Sequence, residues 1–71
     1  MPKATIRNEI RRLRFGAGEM TQESLAGRVG CTRQTIILLE QGRYVPSLAL
    51  AWRIARVFAV PIDGVFTFED E

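Results

Sequence analysis

Two helix-capping residues with a glycine between them constrain this chain more than any other sequence feature. Thr21 and Thr32 are both favourable N-cap residues, and they lie eleven positions apart. Gly30, just before the second cap, suits the left-handed backbone conformation that ends many helices. The spacing therefore predicts two short helices, over residues 22–29 and 33–41, joined by a turn of about three residues.

The side chains around that turn fit a helix-turn-helix over residues 22–41. Ala26 is small enough to let the two helices approach each other closely. Apolar side chains at Cys31, Ile36 and Leu39 are spaced to pack between the helices and to fix their angle. At this point an ordinary helical hairpin without a nucleic-acid role remains the alternative.

Hydrophobic periodicity predicts further helices on both sides of this unit. An amphipathic stripe that begins at Ile6 predicts a first helix over residues 6–14. Ser47 offers an N-cap for a strongly apolar helix over residues 48–59, and a last helical turn is expected over residues 61–66.

The fold class that follows is all-α, a compact bundle of four to five short helices. Seventy-one residues are enough for one small domain, taken as residues 1–71. Apolar and polar residues alternate at positions 66–69, which is compatible with a short C-terminal strand. No apolar run approaches the roughly 18 residues of a membrane span, and the first five residues lack a signal peptide's apolar stretch. A soluble, cytoplasmic protein is expected.

Histidine and cysteine usage excludes several function classes. The chain contains no histidine, which excludes zinc fingers and histidine-based general-base catalysis. Its one cysteine, Cys31, excludes an internal disulfide framework. We expect no metal, no cofactor and no catalytic residues. Cys31 is interpreted as a small buried hydrophobic residue rather than a redox switch.

The net charge of +2 conceals an uneven distribution. Residues 1–60 hold ten basic residues against four acidic ones, a balance of +6, whereas residues 63–71 hold the other four acidic residues. Nine of the ten basic residues are arginine, which suits phosphate and guanine better than lysine does. This balance favours a polyanionic partner, with a solvated helical surface as the alternative.

The helix after Thr32 separates into two faces when successive residues are rotated by about 100°. Ile36 and Leu39 face inward. The outward cluster and its flanks consist of Gln34, Ile37, Leu38, Gln41, Arg33 and Thr35. Glutamine can pair with adenine, arginine with guanine, and an aliphatic group can contact a thymine methyl. Solvation would account for the glutamines, but adjacent exposed aliphatic residues indicate a partner, either DNA or another protein chain.

Glu40 falls within roughly 40° of Ile36 on the inward side of this helix. A carboxylate there needs a cation, because an unpaired charge in the interior costs several kcal/mol. Arg14 flanks the apolar stripe of the first helix, so we predict an Arg14–Glu40 pair that sets the geometry between the two helices. The alternative is an exposed Glu40 at a frayed helix end.

Residues 20–26, 29–36 and 40–48 resemble the phage repressor–Cro (Xre-type) helix-turn-helix DNA-binding domain, and the similarity continues through residues 54–60. The resemblance is strongest to small stand-alone bacterial and archaeal regulators. There are departures from the family pattern: Ile37 replaces a serine or asparagine, Ala49 a frequent glutamate, and Ser24 the glutamate of a capping box with Thr21.

The resemblance implies specific roles for residues of this chain. Gln22 would contact a phosphate and brace the recognition helix, the outward residues of that helix would face base edges, and Arg43 and Tyr44 would hold the DNA backbone. The candidate DNA-binding residues are Gln22, Thr32, Arg33, Gln34, Thr35, Ile37, Leu38, Gln41, Arg43 and Tyr44. Relatives also contain the Arg14–Glu40 pair.

The function expected from the residues and the resemblance is a sequence-specific, double-stranded-DNA-binding transcriptional regulator. We expect a repressor that acts as a homodimer on a palindromic operator. The expected dimer surface comprises Trp52, Val65, Phe66 and Phe68, with a core role as the alternative for Trp52. Two other functions stay open: an antitoxin that binds a toxin protein and represses its own operon, and a protein-interaction module that does not bind DNA.

Overall fold

Two strands and five helices follow one another in residues 4–70, which are the residues that the computed structural model describes. In chain order they are β1 (Ala4–Asn8), α1 (Ile10–Gly16), α2 (Gln22–Val29), α3 (Arg33–Glu40), α4 (Leu48–Val57), α5 (Ile62–Val65) and β2 (Phe66–Asp70). The predicted bundle of short helices is confirmed. Residues 1–3, and Glu71 at the end of the acidic tail, lie outside the described part of the chain.

The predicted N-caps close the starts of α2, α3 and α4. In each helix the cap hydroxyl accepts a hydrogen bond from the backbone N–H of the third helical residue, at 3.0 Å for Thr21, 3.2 Å for Thr32 and 3.1 Å for Ser47. Each bond satisfies one of the N–H groups that a helix start leaves without a partner. The caps therefore define where these three helices begin.

The turn between α2 and α3 is built as the sequence indicates. Gly30 has a φ of +77°, and the backbone N–H groups of Gly30 and Cys31 both donate to the Ala26 carbonyl, at 2.9 and 3.0 Å. This arrangement ends α2 within one residue of its last turn. The cap at Thr32 follows immediately, so α3 leaves the turn in a direction that the backbone hydrogen bonds dictate.

The core lies between α2, α3 and α4. Its fully buried side chains come from every one of these helices and from α1, α5 and β2: Ile10, Leu25, Val29, Ile36, Leu39, Ile54, Val65 and Phe66. Ala26, only 3% exposed, has the small side chain that lets α2 and α3 pack closely. The inward positions predicted for α3, Ile36 and Leu39, are confirmed.

The predicted start of the first helix is wrong. Residues 4–8 form β1, which pairs antiparallel with β2, and Ile6 lies opposite Phe68. Asn8 ends the strand: its amide Nδ2 donates to the Leu39 carbonyl at 2.7 Å, and its Oδ1 accepts the Ile10 N–H at 3.2 Å. The bond to Ile10 is a local side-chain bond of the kind that competes with helix formation, so α1 begins only at Ile10.

Two residues of the expected dimer surface belong to the core instead. Val65 is 0% exposed and Phe66 is 2% exposed, so neither side chain is available at the surface. The backbone explains the burial, because the Val65 carbonyl accepts the Glu9 N–H at 2.9 Å and so holds the start of β2 against α1. Trp52 and Phe68 are exposed, by 51% and 60%.

The conformation of Gly30 can be tested with a pair of identical substitutions. We expect Gly30→Ala to lower the free energy of unfolding by about 1–2 kcal/mol, because a Cβ at Gly30 meets no other atom within 4 Å and the cost is that of the left-handed backbone. Gly27→Ala, inside α2 and equally unobstructed, should raise it by about 1 kcal/mol. Urea unfolding of both variants measures these changes. Equal effects would contradict the turn geometry.

Candidate nucleic-acid interface

A buried ion pair joins α1 to the end of α3. Arg14 Nε donates to Glu40 Oε2 at 2.7 Å and Arg14 Nη2 to Glu40 Oε1 at 3.0 Å. The third nitrogen, Nη1, donates to the Met20 carbonyl at 2.8 Å. The two side chains are only 8% and 10% exposed, so the bidentate geometry satisfies both charges inside the protein. The structure contains the pair that the helical spacing predicts.

Gln22 is tied to the same carboxylate. Its Nε2 donates to Glu40 Oε1 at 3.2 Å, and its side chain is half-buried. Glu40 therefore connects α1, α2 and α3 at one point. Gln22 is the first residue of α2, where backbone N–H groups and the helix dipole favour an anion such as a phosphate. The bond through Glu40 fixes that helix end relative to α3.

The outward surface of α3 is polar at its start and more apolar further along. Arg33, Gln34 and Gln41 are exposed, whereas Ile37 and Leu38 are half-buried. The sequence predicts that Ile37 and Leu38 are exposed, whereas the structure leaves only part of each side chain at the surface. Both charged and amide groups of the first turn can therefore reach a partner that lies against this helix.

Two of the candidate residues, the N-cap of α3 and a residue of its first turn, also have a structural role. The Thr32 and Thr35 hydroxyls lie 3.0 Å apart in a hydrogen bond, in addition to the cap bond between Thr32 Oγ1 and the Thr35 N–H. This arrangement positions the start of α3, so Arg33 and Gln34, which lie between the two threonines, emerge in a defined direction.

The loop after α3 presents the last two candidate residues. Gly42 has a φ of +72°, and the Arg43 N–H donates to the Leu38 carbonyl at 2.9 Å, which ends the helix tightly. Arg43 is exposed, and Tyr44 is 45% exposed. Both side chains therefore leave the protein next to the C-terminal end of α3.

An open cleft of about 580 Å³ lies where α1, the start of α2 and the start of α3 meet. Its walls include the exposed side chains of Arg11, Glu23 and Arg33, together with Gln22. The Arg14–Glu40 pair also lines it and is neutral overall. The remaining charges leave the cleft with one more cation than anions, so it favours an anionic ligand group.

Comparison with known proteins identifies the family. The helix-turn-helix family model matches residues 10–65 of the chain. Over 66 residues the chain is 53% identical to an uncharacterized HTH-type transcriptional regulator of Archaeoglobus fulgidus, covering 93% of both proteins. It is 42% identical to YgzD, an uncharacterized HTH-type transcriptional regulator of Bacillus subtilis, over 66 residues, which cover 93% of this chain and 98% of YgzD. This chain belongs to the Xre/Cro-like helix-turn-helix family.

A further relative is the uncharacterized HTH-type transcriptional regulator of Methanothermobacter thermautotrophicus, which is 52% identical over 67 residues, 93% of this chain and 96% of that protein. Membership in the helix-turn-helix family makes the chain a DNA-binding regulator and not an enzyme. Within residues 4–70, the helices are all too short or too polar to cross a membrane. No cluster of three potential metal ligands occurs among the same residues.

Arg11 is a residue of this helix-turn-helix domain that the sequence analysis did not identify as a candidate. Its guanidinium lies over the Phe15 ring, 5.4 Å from the centroid, and its side chain forms part of the cleft beside Gln22 and Arg33. Stacking of this kind orients a long, otherwise mobile side chain. The spacing of Arg11 and Phe15, four residues apart on one helix, is the sequence signal that could have revealed the contact.

Cys31 lies in the turn of the helix-turn-helix unit, half-buried and packed against the core. Burial raises the pKa of the Cys31 thiol above its ordinary value. Less thiolate is therefore present at neutral pH, which lowers the reactivity of the thiol towards oxidants. These properties favour the packing role over the redox role.

Removing one member of the buried pair should be costly. We expect Glu40→Ala to lower the free energy of unfolding by about 3 kcal/mol, because Arg14 keeps its charge in a buried site and Gln22 loses its acceptor. Glu23→Ala, which removes an exposed carboxylate near the start of α2, should cost less than about 1 kcal/mol. Chemical denaturation of both variants gives the comparison.

A double variant separates the cost of an unpaired charge from the value of the pair. Arg14→Met combined with Glu40→Met removes both charges, and we expect it to be more stable than Glu40→Ala alone. A double variant no more stable than Glu40→Ala would show that the loss comes from the missing pair and not from an unpaired buried charge.

Proposed function

We propose that this protein is a sequence-specific transcriptional repressor that binds double-stranded DNA as a homodimer. The observation that supports the proposal most directly is the start of α3. There Arg33 and Gln34 are exposed side by side on a helix whose N-terminus is capped by Thr32 and whose C-terminus is anchored through Glu40. A rigid helix that presents an arginine and an amide matches the requirements of base readout in the major groove.

The phosphate contacts in this proposal surround α3. Gln22 and the backbone N–H groups at the start of α2 contact one phosphate, and Arg11 supplies positive charge in the same cleft. Arg43 and Tyr44, in the loop after α3, contact the backbone on the other side. Phosphate contacts of this kind set the register of the protein on the duplex, while α3 reads the bases.

The homodimer follows from the amount of DNA that one small domain can contact. One α3 helix reads only a few base pairs, too few for specificity in a genome. A two-fold dimer on a palindromic operator doubles that number, with half-sites one helical turn, or roughly 34 Å, apart. By occupying such an operator the dimer excludes the transcription machinery, which makes repression the simplest outcome.

Alanine substitutions on the first turn of α3 test base readout. We expect Arg33→Ala and Gln34→Ala each to weaken binding to the preferred operator by about 1–3 kcal/mol and to relax base preference at one position. Arg53→Ala, which removes an exposed arginine from α4 without touching α2 or α3, should leave base preference unchanged. Fluorescence anisotropy with matched and mismatched duplexes measures both quantities.

The same variants distinguish this function from a protein-interaction module. A module that does not bind DNA would show no operator affinity in the wild-type protein at low salt. Loss of affinity in Arg53→Ala equal to that in Arg33→Ala would indicate general electrostatic binding and would contradict base readout by α3.

Salt dependence tests the assignment of Arg43 to the DNA backbone. Binding should weaken steeply with rising salt, since each phosphate contact releases counterions. We expect Arg43→Ala to reduce the slope of log K against log salt by about one unit and to weaken binding to all sequences alike. A slope equal to that of the wild-type protein would remove Arg43 from the set of phosphate contacts.

A further inference from the structure

Phe15 is a large apolar side chain of α1 that the core leaves at the surface. It lies in the last turn of α1 and is 53% exposed, whereas Ile10 of the same helix is fully buried. A single exposed aromatic residue is ordinary on a protein surface. What distinguishes Phe15 is its neighbours, because the guanidinium groups of two arginines lie over its ring.

The first of these arginines is fixed. The Arg14 guanidinium lies 5.4 Å from the centroid of the Phe15 ring, and its three nitrogens are held by the Glu40 carboxylate and the Met20 carbonyl. The ring therefore packs against a group that cannot move without breaking the buried ion pair. Phe15 is in this way connected to the contact that joins α1 to the end of α3.

The second arginine, Arg11, is oriented by the ring. Its guanidinium also lies 5.4 Å from the Phe15 centroid. Among the side chains that the structure describes, the ion pairs made by α1 are those of Arg12 with Glu9 and of Arg14 with Glu40, and Arg11 takes part in neither. Arg11 thus keeps an uncompensated charge on an ordered side chain.

Stacking and ion pairing differ in what they leave free on a guanidinium. An ion pair engages the N–H groups at the edge of the group and neutralises its charge. Stacking on an aromatic ring uses the flat face, so the N–H groups and the positive charge remain available. The contact with Phe15 therefore orients Arg11 and leaves it able to bind an anion.

The surroundings of Arg11 indicate where that anion binds. Arg11 and Phe15 line the open cleft of about 580 Å³ together with Gln22, the first residue of α2. They also line a second groove, of about 410 Å³, whose other walls include Glu9 and Arg12. That groove already holds an ion pair, whereas the cleft contains a helix N-terminus that favours a phosphate.

We propose that Phe15 is a positioning residue for DNA binding, which orients Arg11 towards the backbone phosphate at the start of α2. The inference rests on the proposed function, which puts a phosphate in this cleft. An arginine loses side-chain entropy when a phosphate fixes it. Because the ring already restricts Arg11 in the unbound protein, less of that freedom is lost on binding, and the complex is tighter.

A purely structural role for Phe15 predicts a different pattern. If Phe15 acted only through Arg14, loss of the ring would shift α3 through Glu40 and alter base preference. Phe15 acting through Arg11 predicts weaker binding to all sequences alike, because phosphate contacts carry no sequence information. Base preference therefore separates the two roles.

Fluorescence anisotropy of the full chain with matched and mismatched duplexes tests the proposal. Phe15→Leu removes the ring but keeps an apolar, helix-favouring side chain, and Phe15→Tyr keeps the ring. Arg11→Ala removes the cation. Arg12→Ala is the matched control, because Arg12 is the next residue, is equally exposed and does not line the cleft. Thermal unfolding monitored by circular dichroism checks that each variant folds.

We expect Arg11→Ala to reduce the slope of log K against log salt by about one unit, and Arg12→Ala to leave it unchanged. Phe15→Leu should weaken binding to all duplexes by about two- to fivefold, whereas Phe15→Tyr should bind like the wild-type protein. In the Arg11→Ala background, Phe15→Leu should have no further effect. An equal loss in both backgrounds, or a changed base preference, would overturn the inference.

Nuclear magnetic resonance of the protein without DNA tests the stack itself. A ring current moves the resonances of groups over the ring face upfield, so the Arg11 side-chain signals should lie upfield in the wild-type protein and return towards ordinary values in Phe15→Leu. Ordinary Arg11 shifts in the wild-type protein would overturn the inference without any substitution.

Failure of the proposed function gives a different result. Suppose that inorganic phosphate shifts the Arg11 and Gln22 signals more in the wild-type protein than in Phe15→Leu, and that no duplex binds at low salt. This would contradict the repressor and support the positioning role. Conversely, operator binding that is lost in Arg33→Ala but equals that of the wild-type protein in Phe15→Leu would support the repressor and contradict the role of Phe15.

Discussion

The buried contact between Arg14 and Glu40 is the interaction on which the arrangement of α1, α2 and α3 depends. The guanidinium uses all three of its nitrogens, two on the carboxylate and one on the Met20 carbonyl just before α2. The same carboxylate accepts from Gln22. One ion pair therefore sets α1, the start of α2 and the end of α3 relative to one another. A buried pair of this kind contributes little net stability, but it penalises every arrangement of the helices that separates the charges.

Local chemistry made much of this arrangement predictable from the sequence. Thr21, Thr32 and Gly30 act within a few residues of themselves, through cap bonds and backbone conformation, so their effects do not depend on the rest of the fold. The Arg14–Glu40 pair was predictable for a different reason. Helical periodicity places a carboxylate on an inward face, and a buried charge must have a partner.

The parts that could not be predicted depend on contacts between distant residues. Ile6 fits a helical stripe with Ile10 as well as it fits a strand, and only pairing with Phe68, sixty-two positions later, decides for the strand. Because β2 pairs with β1, Val65 and Phe66 lie in the core and are not available for the expected dimer surface. Arg11 was missed because its place in the cleft depends on how α1 lies against α2, which no local pattern encodes.

In the proposed complex α3 faces the bases, while the start of α2 and the loop after α3 face phosphates. The most direct test is selection of bound duplexes from a random DNA pool by the wild-type protein. It should enrich one motif with two inverted half-sites whose centres lie about one helical turn apart. A pool that remains unenriched, although the protein is folded and binds DNA at low salt, would contradict base recognition by α3.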